Sequence, residues 1–127
     1  MLSEGMLGDL MKGILKRDGL EYLGFNQFDA SYKECYESKD SPGYICIIVY
    51  DNNNTVSSLT IYKREHDRRK NYCFNSEVYF EINYVNKTVY RHHIGQFIFI
   101  ALSYYIDKMK ETLGLIEVSE PSVDAQI

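Results

Sequence analysis

Between residues 74 and 84 the chain alternates with a period of two. Phe74, Ser76, Val78, Phe80, Ile82 and Tyr84 share one parity, and Asn75, Glu77, Tyr79, Glu81 and Asn83 the other. That is the period of a strand with one buried face. A few residues later the period changes. Ile94, Phe97, Ile98, Ala101, Leu102, Tyr105 and Met109 recur at helical spacing. A strand with one wet face, followed by a helix with one dry face, predicts a sheet covered by a helix.

The same reading extends along the chain. Met6, Leu7, Leu10, Met11, Ile14 and Leu15 form one broad face of an N-terminal helix. Ser3 is its expected N-cap and Asp18-Gly19 its stop. Gly5, Gly8 and Gly13 each weaken that helix by roughly 1 kcal/mol, so it depends on the body of the protein. Residues 28–36 alternate as a strand. Residues 38–43, with Pro42 and Gly43, form a turn. Residues 44–50 are a β-branched-rich central strand, 51–54 an Asn-rich hairpin tip, and 56–63 the next strand. Residues 64–71 are a charged connection, 72–85 the last long strand and 86–88 a turn. A single helix over 91–113 is closed by Gly114, and 115–118 add a short extended piece. The expected class is α+β: a four-stranded antiparallel meander flanked by N- and C-terminal helices packed on one face, in the order α-β-β-β-β-α. Residues 1–118 form one domain, and 119–127 a loose acidic C-terminal tail.

Composition narrows the function. The 127 residues are 45% hydrophobic and 25% charged, with net charge −4, ordinary for a globular protein. The acidic balance opposes nonspecific adhesion to nucleic acid or anionic membrane. The longest apolar run, 97–106, is shorter than the roughly 20 residues a bilayer span needs. Cys35, Cys46 and Cys73 are odd in number and form no C-x-x-C pair; a reducing, cytoplasmic setting is the simpler expectation. Tyr, Ile, Asn and Lys are abundant, with 12 tyrosines and no tryptophan. That bias fits AT-rich codons, as in an AT-rich bacterium or its viruses.

Catalytic and metal signatures are incomplete. His92 and His93 are adjacent, and neighbours on a helix point about 100° apart. His66 belongs to the opposite end of the meander, so neither a metal nor a cofactor is expected. Glu37-Ser38-Lys39 matches the Glu-x-Lys triplet of metal-dependent nucleases, but it falls in a turn, with Asp29 too close along the same strand. No G-x-S-x-G or Gly-rich phosphate loop appears, and an enzyme is the least favoured reading.

Three surfaces remain. The sheet face away from the helices is expected to carry Tyr62, Tyr79, Glu77 and Glu81, with Cys46, Ile48 and Tyr50 outward if Ile45, Ile47 and Val49 point inward. With Glu34 and Glu37 near one end, these tyrosines and carboxylates define a partner-binding surface. The C-terminal helix is apolar nearly all round, so Phe99, Ile100 and Tyr104 are expected at an oligomer interface, most simply a homodimer. Lys63, Arg64, Arg68, Arg69 and Lys70, with Arg91 at the helix start, are the candidate nucleic-acid or anion contacts; Glu34, Glu37 and Asp40 at the same end as the 63–70 cluster partly neutralise it. The function expected from these features is a non-enzymatic protein-interaction module. Its particular case is a virus- or mobile-element-encoded inhibitor that occupies a surface of a larger host defence or nucleic-acid enzyme. The alternatives are nucleic-acid binding through the basic connection, or sequestration of a small ligand with Tyr32 or Tyr84 as polar handles.

Overall fold

The computed structural model describes residues 4–28, 31–39, 43–51, 53, 55–67 and 72–122; the side chains of 4–8, 25–28, 31–32, 64–67 and 72–76 lie outside the description. The expected cap at Ser3 also lies outside it. Helix α1 (Glu4–Arg17) is followed by strands β1 (Leu20–Phe28), β2 (Ser31–Ser38), β3 (Tyr44–Tyr50), β4 (Val56–Asp67), β5 (Tyr72–Asn83) and β6 (Thr88–Arg91). Then come a single helical turn, α2 (Gly95–Ile98), helix α3 (Ile100–Leu113) and strand β7 (Ile116–Val118). The seven strands lie side by side in sequence order. Every neighbouring pair is antiparallel except β6 with β7, which run parallel across the helical connection.

The α+β class is as expected, but the meander of four strands is corrected to a sheet of seven. Strand β1 escapes the periodicity because its alternation is broken. The register with β2 slips between Tyr22 and Gly24, leaving Leu23 as an extra residue, and Gly24 sits at φ 150°, where side chains are disfavoured. Strand β6 is only four residues long and runs from the end of the expected turn to the first residue of the expected helix. The single helix over 91–113 is therefore corrected to a strand, one turn, a break and a 14-residue helix. Strand β4 also runs further than the pattern suggests, taking residues 64–67 into the sheet, whereas β5 begins at Tyr72 as expected and ends at Asn83.

Strand β5 holds the decisive irregularity. Ile61 pairs with Phe80 but Tyr62 pairs with Val78, so Tyr79 is one residue too many. A bulge turns consecutive side chains toward the same face. Tyr79 and Phe80 both enter the main core, whereas Val78 lies with Ile45 and Tyr62 in a smaller cluster. Tyr79 is thus on the helix side of the sheet, not the outer side. Strand β3 is reversed likewise: Cys46, Ile48 and Tyr50 face the helices, and Ile45 and Ile47 face outward.

Phe99, at the break between α2 and α3, is fully buried and meets Tyr44 and Phe80 edge-on, with ring centroids 5.4 and 5.9 Å apart. Tyr44 meets Tyr79 edge-on at 5.0 Å. These are favoured aromatic geometries. The break leaves the amides of α3 without a cap of their own. Asp18, just past the end of α1, supplies one: its two carboxylate oxygens accept from the Ala101 and Leu102 amides at 2.8 and 2.9 Å. Met11, Ile14 and Leu15 of α1 fill the remaining core with Leu102, Tyr105 and Ile106 of α3. Tyr84 and Tyr105 join by their hydroxyls at 3.3 Å, and the Tyr84 hydroxyl also lies 3.6 Å from the sulfur of Met11. Gly114, at φ 70°, closes α3 in the left-handed conformation.

Two substitutions test this frame by urea unfolding. Asp18→Ala is expected to cost about 1–2 kcal/mol as a lost cap. Gly95→Ala is expected to cost about 1–3 kcal/mol, because an added Cβ would stand 3.0 Å from the Tyr79 carbonyl oxygen and 3.1 Å from its ring. A Gly95→Ala protein as stable as the wild type would show that the β5 bulge and α2 are not tightly docked.

Candidate functional site

The bulge organises the chemistry around β6. The Tyr79 carbonyl accepts from the His92 amide at 2.9 Å, and the rings of Tyr79 and His92 stack at 4.4 Å. His93 stacks on His92 in turn, at 4.6 Å. The two imidazoles are neighbours because residues 92 and 93 precede the helix; the divergence expected of a helical pair does not apply. His92 Nδ1 accepts from the Ile94 amide at 3.1 Å, so Nε2 carries the proton and donates to Glu77 Oε1 at 2.8 Å. Both ring nitrogens are occupied, which makes His92 a fastener between β5, β6 and α2. Among the described residues, no three His, Cys, Asp or Glu side chains converge in a way that could hold a metal.

Arg91 is enclosed as well. Its Nη1 donates to Ser103 Oγ at 3.0 Å and pairs with Asp107 Oδ1 at 2.8 Å, while Nη2 pairs with Glu117. Lys110 also reaches Glu117, at 3.0 Å. Strand β7 is thereby tied to β6 and α3. The guanidinium expected to receive an external anion is committed to internal acceptors. Burial opposes ionisation of Glu117, but the hydrogen bonds and charges of Arg91 and Lys110 outweigh it and hold its carboxyl below the ordinary value of 4.5.

The expected partner-binding residues do not share a surface. Glu81 does lie on the outer face, but it is 2% exposed and its Oε1 accepts from the Ser122 amide and hydroxyl at 2.9 and 2.6 Å. Tyr62 is buried against Ile45 and Val78. Glu77 is engaged by His92, and Glu37 is exposed. Glu34 is not at the basic end of the sheet. It sits mid-strand opposite Ile48, is 4% exposed, and faces Lys12 of α1 at 3.6 Å. Next to it, burial and then the charge of Glu34, to which the Tyr36 hydroxyl is hydrogen-bonded, push that hydroxyl well above the usual phenol range. Of the basic cluster, Lys63 is exposed, with its ammonium 5.9 Å from the centre of the Tyr44 ring. Arg64 lies in β4, but its side chain is outside the described residues, as are Arg68, Arg69 and Lys70 entirely. The Tyr32 side chain is also outside them, and the Tyr84 hydroxyl is used within the core.

The expected oligomer residues divide. Phe99 belongs to the core, whereas Ile100 and Tyr104 are 66% and 61% exposed. Phe97, at 74%, and Ile94 are exposed as well. Helical periodicity identified the apolar surplus here. It could not place Phe99 inside, because that depends on the break between α2 and α3. No helix among the described residues is long and apolar enough to cross a membrane. No protein-family model, curated protein or solved structure matches the chain.

The Arg91–Glu117 arrangement carries a pH dependence. A carboxyl whose pKa is depressed by folding stabilises the native state above its unfolded value, and that contribution is lost as pH falls toward the folded value. Glu117→Gln is therefore expected to lower stability at neutral pH and to match the wild type progressively as pH drops below about 4.5. Chemical denaturation of both proteins across that range checks it. A difference independent of pH would mean that Glu117 acts through packing alone.

Proposed function

We propose that the protein is a non-enzymatic interaction module that works through the α2–α3 ridge and pairs there with a second copy of itself. The observation that carries this reading is that four large apolar side chains, Ile94, Phe97, Ile100 and Tyr104, are exposed within one short stretch of chain. Large apolar side chains exposed at this density are characteristic of protein contacts. The core does not need it, because Phe99, Leu102, Tyr105 and Ile106 already bury the opposite side of the same segment.

A shallow depression of about 580 Å³ adjoins the ridge, lined by Ile98, Ile100, Ala101 and Tyr104 with Arg17 and Asp18. Projecting side chains and a receiving depression on one patch are what a two-fold contact requires, since each copy then supplies both halves. Tyr104 adds a rigid ring with little rotamer freedom to lose, and Lys108 stands 5.3 Å from its centre. A larger protein with an apolar surface is the second class of occupant. The acidic mechanism, with Glu34, Glu37, Glu77 and Glu81 presented together to a basic cleft, has no common surface to support it.

Light scattering after size-exclusion chromatography tests the proposal. The wild type is expected to run as a dimer, and the Ile100→Asp/Tyr104→Asp double variant as a monomer with unchanged circular dichroism. Both positions are largely exposed, so their effect on folding is expected to be small, within about 0.5 kcal/mol each. Phe99→Asp serves as the contrast: it puts a charge into the core and is expected to unfold the chain. A wild-type protein that stays monomeric at high micromolar concentration would overturn self-association.

A further inference from the structure

The chain leaves α3 through Leu115, which is buried, and then forms β7 at the edge of the sheet. From residue 116 to residue 122 no side chain is buried: Val118 and Pro121 are half-buried and the other five are exposed. The adjoining strand differs, since Val89 of β6 is fully buried. Apolar burial is the main source of fold stability, and this segment contributes little of it.

Polar contacts hold it instead, and they come from both faces of the sheet. Strand β7 pairs with β6 over three residues, and the Ile116 amide donates to the Lys87 carbonyl at 2.9 Å. On the helix side Glu117 meets Arg91 and Lys110. On the outer side the register sets the path. Glu81 lies beside Tyr90, and Tyr90 beside Val118. Val118 is thus two strands from Glu81, roughly 10 Å at ordinary strand spacing. Four residues later the Ser122 amide and hydroxyl donate to Glu81. Residues 119–121 therefore turn back across Tyr90. Burial, and then the charges of Glu77 and Glu120, raise the Tyr90 hydroxyl above its ordinary value, which agrees with Glu120 passing beside it.

These contacts can be given up without damage to the core. Glu117 and Ser122 are exposed, and ion pairs at such positions are weak. Arg91 keeps Ser103 and Asp107 when Glu117 leaves, so no buried charge is stranded there. Glu81 is on the outer face, where water can take the place of Ser122. We infer that residues 116–122 are a detachable clasp, which opens as one unit while the rest of the fold stays closed and thereby controls access to the β6 edge. When open, it frees Glu81 and the backbone donors and acceptors of β6 that face β7. The clasp is separate from the α2–α3 ridge and does not depend on dimerisation.

Amide hydrogen exchange on the full chain, followed residue by residue in increasing sub-denaturing urea, tests it. The amides of 116–118 and 122, and those of β6 directed at β7, are expected to share one protection factor. It should lie about a hundredfold or more below that of β3 and β4 and depend far less on urea. Two substitutions on opposite faces of the sheet test whether the segment moves as a unit. Glu117→Gln is expected to speed exchange of the Ser122 amide, and Ser122→Pro that of the 116–118 amides, each about threefold or more. Both positions are exposed, so circular dichroism is expected to stay unchanged. The inference is overturned if the segment exchanges only through global unfolding, with the protection of β3. It is overturned too if the segment shows no protection at all, or if each substitution speeds exchange only beside itself.

Discussion

One extra residue in β5 sets the arrangement of much of the rest. With Tyr79 inserted, Tyr79 and Phe80 both face the helices. Their rings join Tyr44 and Phe99 in a cluster of edge-on contacts, and the Tyr79 carbonyl is turned to receive the His92 amide. Gly95 then packs against that same carbonyl. Phe99 can enter the cluster only if the helical segment is interrupted beside it. The bulge and the α2–α3 break are thus two parts of one packing solution, and aromatic burial stabilises both.

The break has a consequence for the position of α1. It creates a new helix start, whose first amides would lie unpaired near the core. Asp18 meets two of them from across 83 and 84 positions of sequence. That contact fixes the end of α1 against the start of α3. With α1 held there, Lys12 and Lys16 overhang Glu34 and Tyr36, and the cavity between helix and sheet takes its shape. The depression beside α3 and the lysine-lined cavity beside α1 both border this joint, the first at Arg17 and Asp18, the second at Lys16 and Gly19.

Much of this was legible in the sequence where the pattern was clean. Strand β3, the α1 face, the Gly114 stop and the apolar surplus of the last helix follow from periodicity and turn chemistry. Strand β1 was hidden by its own bulge at Leu23 and by Gly24. Strand β6 was too short to show a period. At Tyr79 the local pattern pointed the wrong way, because a period-two reading assumes an unbroken strand, and one inserted residue inverts the parity of everything on one side of it. Glu34 was misplaced for a related reason. Its type suggested a surface position, but its parity with Tyr36 puts it on the buried face.

The amino-acid sequence by itself determined the class: apolar residues at periods of two and 3.6 require a sheet covered by helices, whatever the detailed register. It also determined that the last helical segment carries more apolar surface than one core can use. Only the tertiary structure decided which of those residues is core and which is ridge, that Arg91 is consumed internally, and that a carboxylate lies buried among lysines. Those outcomes depend on register shifts, a helix break and a cap supplied from 83 positions away. None has a local period, because each is a response of one element to the surface of another.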